Sequence, residues 1–194
     1  MTREELQRIF TDPPEIETER LLLRRISVGD ADDMYEYSRR EDVTRFLLWE
    51  VHPDPLYTEK YVRYLQERYA VGDFYDFALE LRETGKMIGT AGFTTFDLPN
   101  RSAEIGYVVS PDYRGQGYAP EAVEALLSLG FEHFSLARIS AVCMKDNAAS
   151  LRVMEKCGLK REGLLRSAVY AKGEMQDVHL AAITSEDYFS RACI

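Results

Sequence analysis

The chain has 194 residues, 45% of them hydrophobic and 29% charged, which suits one globular domain with its own core. Its formal net charge of −9 argues against nucleic acid as a partner, because phosphate contacts need clustered Lys and Arg. The charged opening residues, and the lack of an apolar run of roughly 18 residues, predict neither a secretion signal nor a membrane span. We therefore expect a soluble, cytoplasmic protein whose acidic surface serves solubility or a cationic acceptor.

The cysteines and histidines predict no metal centre. The cysteines are odd in number and form no C-x-x-C pair, which fits reduced thiols in a cytosol: Cys143, Cys157 and Cys193. The histidines are isolated from one another and from other ligand-type residues: His52, His133 and His179.

The N-terminal part is predicted to begin with an appended helix. Thr2 to Glu5 has the capping-box form, and Asp12-Pro13-Pro14 ends the helix, so residues 1–14 are assigned to it and residues 15–194 to a single domain. A strand at 20–26 and a helix at 31–40, capped by Asp30, come next. Residues 43–75 are irregularly helical and rich in aromatic side chains.

The C-terminal part alternates strands and helices. Three strands form an antiparallel meander: 76–81, 87–96 and 102–109. Apolar residues then recur on one helical face from Val123 to Phe134, in a helix with Pro120 in its first turn. The remaining elements are a strand at 136–142, a helix at 147–156 that stops at Gly158, and a hairpin of strands at 161–170 and 175–184. This order predicts an α+β (or α/β) fold, a mixed sheet flanked by helices.

The segment from Val108 to Glu121 carries the clearest functional signal. A strand runs into a loop with Gly115 and Gly117 and then into a helix start. Such glycines let backbone N–H groups approach a phosphate at the positive end of the helix dipole, and Arg114 adds a fixed charge. Taken alone, the same pattern also fits a tight turn before a helix.

This segment resembles the pyrophosphate-binding motif of the GCN5-related N-acetyltransferases, since Arg114-x-x-Gly117-x-Ala119 follows the pattern [QR]-x-x-G-x-[GA]. The similarity extends from Ile16 to Thr184 and favours the RimJ/RimL-type branch, which acetylates ribosomal-protein N-termini and related amines. It rests on three further segments: Ala103–Tyr107, Asn147-x-x-Ser150 and Glu155–Gly163. The resemblance implies a mostly antiparallel sheet of six to seven strands, splayed between its two central strands.

The resemblance also implies acetyl-CoA as co-substrate and a set of residues to bind it. Backbone groups of the splayed strand would hold the pantetheine arm and polarise the acetyl carbonyl, with an amide N–H as oxyanion donor. The expected cofactor residues are Val108, Val109, Arg114, Gly115, Gln116, Gly117, Tyr118, Ala119 and Asn147.

Catalysis of amine acetylation needs a neutral nucleophile, and Glu104 is the candidate base because family members use a glutamate on this strand. An ordinary strand carboxylate paired with Arg101 is the alternative. Ser150 is the candidate acid for the leaving thiolate, since the tyrosine that many family members carry in this helix is replaced by Met154. Asn147 and Ser150 also suit a plain helix cap and first turn.

The acceptor is expected to be a primary amine that attacks directly, with a protein or peptide N-terminus favoured. A small amine, such as a polyamine, an aminoglycoside or an amino-acid derivative, is the alternative, and a non-catalytic acyl-CoA sensor is a third reading. A route through an acylated Cys143 or Cys157 is possible in principle, but free cysteines are usually small core residues. The resemblance implies that aromatic residues between Phe46 and Tyr75 help to wall the acceptor pocket, whereas most of these rings are expected to pack the core. The sequence leaves a monomer or a homodimer open.

Overall fold

The structure, a computed structural model, describes residues 1–191. Within that range the helices are α1 (Arg3–Thr11), α2 (Ala31–Ser38), α3 (Glu41–Thr44), α4 (Pro55–Ala70), α5 (Tyr118–Ser128), α6 (Ala148–Lys156) and α7 (Ser185–Arg191). The strands are β1 (Ile16–Glu17), β2 (Leu21–Arg24), β3 (Asp76–Leu81), β4 (Met87–Asp97), β5 (Ser102–Val109), β6 (Arg138–Met144), β7 (Lys160–Ala171) and β8 (Glu174–Thr184). A π-helical turn, Leu129–His133, continues α5.

The strands form one mixed sheet in the order β1-β2-β3-β4-β5-β6-β8-β7. Neighbouring strands run antiparallel except β5 and β6, which are parallel. This confirms the predicted fold class. The two-residue strand β1 joins the seven strands that the sequence indicates, and it is too short to leave an alternating pattern.

The sheet splays between β5 and β6. These strands pair only from Ser102 to Glu104, which faces Ser140. Beyond that point β5 stays paired with β4 as far as Val109, while β6 stays paired with β8 as far as Met144. The two central strands therefore diverge after Glu104, as the family resemblance implies.

Two cores cover the two faces of the sheet. The larger core packs α5 against β5 residues such as Ile105 and Val109. The smaller core holds residues of α2 and α4, and Val108 packs against it. Because side chains alternate along a strand, adjacent residues of β5 face different cores. Helix α1 joins the larger core, where Leu6 and Phe10 are buried.

The region 43–75 is not one irregular helical stretch. Helix α3 ends at Thr44, a loop follows, and α4 starts at Pro55. Asp54 caps α4 by accepting a hydrogen bond from the Tyr57 amide at 2.8 Å, and proline at the first helical position fixes the start. The loop carries Trp49 and His52, so the expectation that 43–75 is helical throughout was wrong for these residues.

None of the helices between residues 1 and 191 combines the length and the apolar character needed to cross a bilayer.

Candidate active site

Two glycines in the left-handed conformation open the loop between β5 and α5. Gly115 has a φ of 77° and Gly117 a φ of 89°, values that residues with a side chain rarely adopt. A Cβ at Gly115 would meet nothing within 4 Å, and one at Gly117 would meet only the Arg20 guanidinium, at 3.3 Å. The loop backbone is therefore accessible to a ligand, and Gly117 is the N-cap of α5.

The amides of this loop are available to an anion. Within residues 1–191, the N–H groups of Gly115, Gln116 and Gly117 have no hydrogen-bond acceptor. The first amides of α5 lack intrahelical partners and lie at the positive end of the helix dipole. Arg114 Nε donates to the Val109 carbonyl at 3.3 Å, which holds the guanidinium beside the end of β5. These groups fit a pyrophosphate.

Arg20, which lies outside the predicted motif, stabilises the loop between β5 and α5. Its Nη1 donates to the Gln116 carbonyl at 2.8 Å and its Nε donates to Glu121 Oε2 at 2.7 Å. Burial opposes the ionisation of Glu121, but hydrogen bonds from Thr18 and Arg20 outweigh it and hold the pKa of Glu121 below its usual value. The sequence carries no local signal for this contact, because Arg20 and Glu121 are 101 residues apart.

An open cleft of about 420 Å³ runs from this loop along β5 to α6. Nine of the eleven predicted site residues line it: Val108, Val109, Arg114, Gly115, Gly117, Tyr118, Ala119, Asn147 and Ser150. The other two, Gln116 and Glu104, are not among its lining residues. Gln116 turns its carbonyl toward Arg20, so its amide N–H is the group left for a ligand.

The end of β5 presents backbone groups to the splay. The Ser110 amide donates to the Ile88 carbonyl on β4 at 2.7 Å. Because backbone groups alternate sides along a strand, the Val109 N–H and C=O point away from β4, into the gap toward β6. The Val108 backbone faces β4, and its side chain walls the cleft. Val109 therefore supplies the amide that can donate to an oxygen in the gap.

A phenol from β5 meets the predicted acid. Tyr107 Oη lies 2.9 Å from Ser150 Oγ and 3.0 Å from the Ser150 carbonyl oxygen, to which it donates. Burial raises the pKa of Tyr107, so the phenol keeps its proton. Asn147 caps α6 by accepting from the Ser150 amide at 3.1 Å, and Met154 is buried. Sequence reasoning sought a tyrosine in α6 and missed the one on β5.

Glu104 lies at the apex of the splay, as the last β5 residue that pairs with β6. Its Oε1 accepts a hydrogen bond from Thr94 Oγ1 at 3.1 Å. Thr94 is the extra residue of a bulge in β4, between Phe93 and Thr95. Glu104 is not paired with Arg101, whose guanidinium donates to the Ser135 carbonyl instead.

A second, smaller pocket of about 140 Å³ lies on the α2–α4 side of β5. Val108 lines both this pocket and the cleft, so the two lie next to each other at β5. Four aromatic residues of the predicted stretch wall it: Trp49, Tyr57, Tyr61 and Phe74. Below we call it the aromatic pocket.

The described cysteines are poor nucleophiles. Cys143 and Cys157 are buried, and burial raises the pKa of each thiol, to about 12 for Cys157. A thiol rather than a thiolate at pH 7 does not favour an acyl-cysteine route. Cys193 lies outside the described residues. No group of three or more His, Cys, Asp or Glu side chains in residues 1–191 is arranged to hold a metal ion.

A splayed sheet with an anion-binding loop beside its open strands defines a transferase of the acyl-CoA-binding class. The family model for the acetyltransferase (GNAT) domain matches residues 20–160. The uncharacterized N-acetyltransferase p20 of Bacillus licheniformis is 32% identical over 171 residues, covering 88% of this chain and 96% of its own. The chain belongs to the GNAT family and is an N-acetyltransferase.

Solved structures agree on the fold. A GNAT-family acetyltransferase from Bacillus anthracis is 31% identical, with a TM-score of 0.79 over 89% of this chain and 99% of its own. At 23% identity and a TM-score of 0.74, the ribosomal L7/L12 α-N-protein acetyltransferase RimL, in complex with coenzyme A, covers 88% of this chain and 98% of its own. Spermidine N-acetyltransferase from Vibrio cholerae, with CoA and spermine, is 21% identical, with a TM-score of 0.72 over 89% and 99% of the two chains.

Proposed function

We propose that this enzyme transfers an acetyl group from acetyl-CoA to a primary amine, with a protein or peptide N-terminus as the acceptor. The observation that carries the proposal is one cleft that joins the free amides of residues 115–117, the open edge of β5 and the Tyr107–Ser150 pair. Pyrophosphate would lie on the loop, the pantetheine arm along the splay, and the acetyl oxygen at the Val109 amide. RimL and the spermidine enzyme, which share the fold, bind CoA, and this supports a CoA thioester as the ligand.

The demand for a neutral amine supports an N-terminal α-amine as the acceptor. An α-amine with a pKa of about 7.8 is roughly one-seventh neutral at pH 7, whereas a lysine-like amine with a pKa of about 10.4 is neutral only about once in 2,500. An N-terminal α-amine therefore depends much less on a base of the enzyme to remove its proton. A polyamine is the second candidate, because the spermidine enzyme shares the fold.

Two proton transfers are proposed, one that removes a proton from the amine and one that protonates the leaving thiolate. Glu104, at the apex, is the sequence-based candidate base, and Ser150 the candidate acid, now with Tyr107 behind it. Both roles stay predictions, as do a cytoplasmic location and a monomeric or homodimeric state.

Calorimetry with acetyl-CoA tests the loop. Gly117→Glu puts a side chain and a negative charge among the free amides, so binding should be largely abolished. Gly85→Glu is the matched control: Gly85 also has positive φ, at 71°, and open space, but it lies in the β3–β4 turn. If folded Gly117→Glu binds as tightly as Gly85→Glu, the loop is not the site. Wild type that binds acetyl-CoA but acetylates no amine in a panel of N-terminal peptides, polyamines and aminoglycosides would be a sensor.

A further inference from the structure

Asp76 is a carboxylate without a partner in the aromatic pocket. It is the first residue of β3, and no described residue gives its side chain a hydrogen bond or an ion pair; the Tyr69 hydroxyl donates to its backbone carbonyl, at 2.7 Å. Burial raises the pKa of Asp76 to about 7. The side chain is partly buried, and a partly buried carboxylate without a partner would gain from a cationic ligand.

A row without side chains joins Asp76 to the splay. Asp76 pairs with Gly92 on β4, and Gly92 pairs with Gly106 on β5, so the three share one face of the sheet. A Cβ at Gly92 would collide with Asp76 Oδ1 as well as with the backbone of Tyr75 and Asp76, so the carboxylate lies over Gly92. Gly106 is two residues beyond Glu104, in the part of β5 that is paired with β4 but no longer with β6. The two glycines themselves place only hydrogen on this face, and the Thr94 methyl group lies beside Gly106, 3.0 Å from where a Cβ would stand.

The pocket walls suit an ammonium group. Aromatic faces attract cations, and none of the lining residues in the described chain is Lys or Arg. His52 lies between Trp49, Tyr57 and Tyr61, with ring centroids 4.9–5.5 Å away, and its Nδ1 contacts Ser38 and Thr58 hydroxyls. Burial lowers the pKa of His52, so the imidazole adds no competing positive charge at pH 7.

The size of the pocket restricts what enters. A cavity of about 140 Å³ is close to the roughly 150 Å³ that accommodates a benzene molecule. One terminal residue with a small side chain fits this volume, and an indole-sized group does not.

We propose that the aromatic pocket binds the acceptor through a compact α-ammonium group and that Asp76 takes a proton from that group. The inference rests on the proposed acetyl transfer and names its acceptor site, and it assigns to Asp76 the proton removal for which the sequence favours Glu104. One N–H bond breaks and its proton goes to Asp76 Oδ, which frees the nitrogen lone pair to form the C–N bond with the acetyl carbon. Collapse of the adduct breaks the C–S bond, and the second nitrogen proton ends on the CoA sulfur, by way of Ser150 or water.

The match of acid strengths supports an α-amine over a lysine-like amine. A carboxyl with a pKa of about 7 lies within about one unit of an α-ammonium at about 7.7–8.0, but more than three units below a lysine-like ammonium at about 10.4. Proton transfer to Asp76 is therefore close to thermoneutral only for the α-amine. The titratable groups around Asp76 are Tyr37 of α2, Glu50 and His52 of the loop, and Tyr57, Tyr61 and Tyr69 of α4. Burial raises the pKa of Tyr37, Tyr61 and Tyr69, and Glu50 is the other carboxylate that lines the pocket.

The first test is turnover of Asp76→Asn between pH 6 and 9, measured as release of the CoA thiol. Glu104→Gln is compared as the other carboxylate, and Glu83→Gln, in the exposed β3–β4 turn, is the matched control. With an alanine-initiated peptide, kcat/KM of Asp76→Asn should fall about 100-fold or more at pH 7, and the loss should shrink by pH 9, where the amine is already neutral. Acetyl-CoA affinity should not change. If Asp76→Asn keeps at least half the wild-type kcat/KM at every pH, the role of Asp76 is refuted.

A comparison of acceptors distinguishes a protein N-terminus from a small molecule as the source of the α-ammonium group. An alanine-initiated peptide and free alanine amide share the group, so preference for the peptide assigns a protein terminus. A tryptophan-initiated peptide and an N-blocked peptide with an internal lysine should be poor acceptors. Equal rates for the lysine peptide would overturn the α-amine assignment.

The second test does not depend on turnover. Trp49 is the single tryptophan of the chain and lines the pocket, so its fluorescence reports occupancy. With CoA present, alanine amide and the alanine peptide should change the emission of wild type, and the apparent Kd of each should rise at least tenfold in Asp76→Asn. This holds even if wild type acetylates nothing, in which case the proposed activity fails alone. No response in wild type, or equal Kd values, overturns the acceptor site.

Discussion

Replacement of Asp76 by Asn should make the unliganded protein more stable, by an amount that depends on pH. Burial raises the pKa of Asp76 from 3.8 to about 7. Between these values the folded state holds a proton that the unfolded chain has lost, so stability falls as pH rises from about 4 to 7, and the full cost is present above pH 7. Three pKa units correspond to about 4 kcal/mol. Asn removes the ionisation, so about 4 kcal/mol is the upper limit of the gain at pH 8.

The assay is urea unfolding of wild type and Asp76→Asn at pH 5 and pH 8. At pH 5 only about one of the three pKa units has been crossed, so the gain at pH 8 should exceed the gain at pH 5 by up to about 3 kcal/mol. The buried Asn amide, itself without a partner, reduces both gains equally. Glu83→Gln, at an exposed position, should show no such pH dependence. A gain that is the same at both pH values would refute the raised pKa of Asp76.

Three further changes test the site. Arg20→Ala removes the hydrogen bond to the Gln116 carbonyl, and initial rates should show a several-fold higher KM for acetyl-CoA with little change in kcat. An unchanged KM would show that the loop keeps its conformation without Arg20. Glu104→Gln should lower kcat, though less than Asp76→Asn, with calorimetric acetyl-CoA affinity nearly intact, and full activity at pH 7 would make Glu104 structural. Ser150→Ala should reduce kcat about tenfold to a hundredfold without changing the KM for acetyl-CoA, whereas weaker binding at constant kcat would make Ser150 a positioning residue.

The cofactor side of the site could be predicted because its signals are local. The glycines of the 114–119 loop, the strand before it and the helix after it are contiguous, and their order together with Arg114 matches the family motif. Asn147 reads as a cap from its place before α6, and it is one. Contiguous residues need no knowledge of the tertiary fold.

The acceptor side could not be predicted in this way. Its residues come from α2, the loop before α4, α4 itself, β3 and β5, and no spacing relates them. The aromatic residues show no period that separates Trp49, in the pocket, from Tyr69, in the core. Asp76 also looks like any strand-initial aspartate until its pairing with Gly92 is known. Tyr107 and Ser150 meet only because the sheet splays there.

The alternation of β5 places the two proton transfers on opposite faces of the sheet, and this leads to a last prediction. Val108 lines the aromatic pocket and packs against the core of α2 and α4, whereas Tyr107 reaches Ser150 on the other face. The leaving thiolate is the same for every acceptor, so Tyr107→Phe should lower kcat by one common factor for alanine-initiated peptide, alanine amide and lysine peptide. The factor by which Asp76→Asn lowers kcat should instead depend on the pKa of the acceptor amine. If the Tyr107→Phe effect also depended on the amine, proton removal and leaving-group protonation would share one path, and the division of labour between the faces would be wrong.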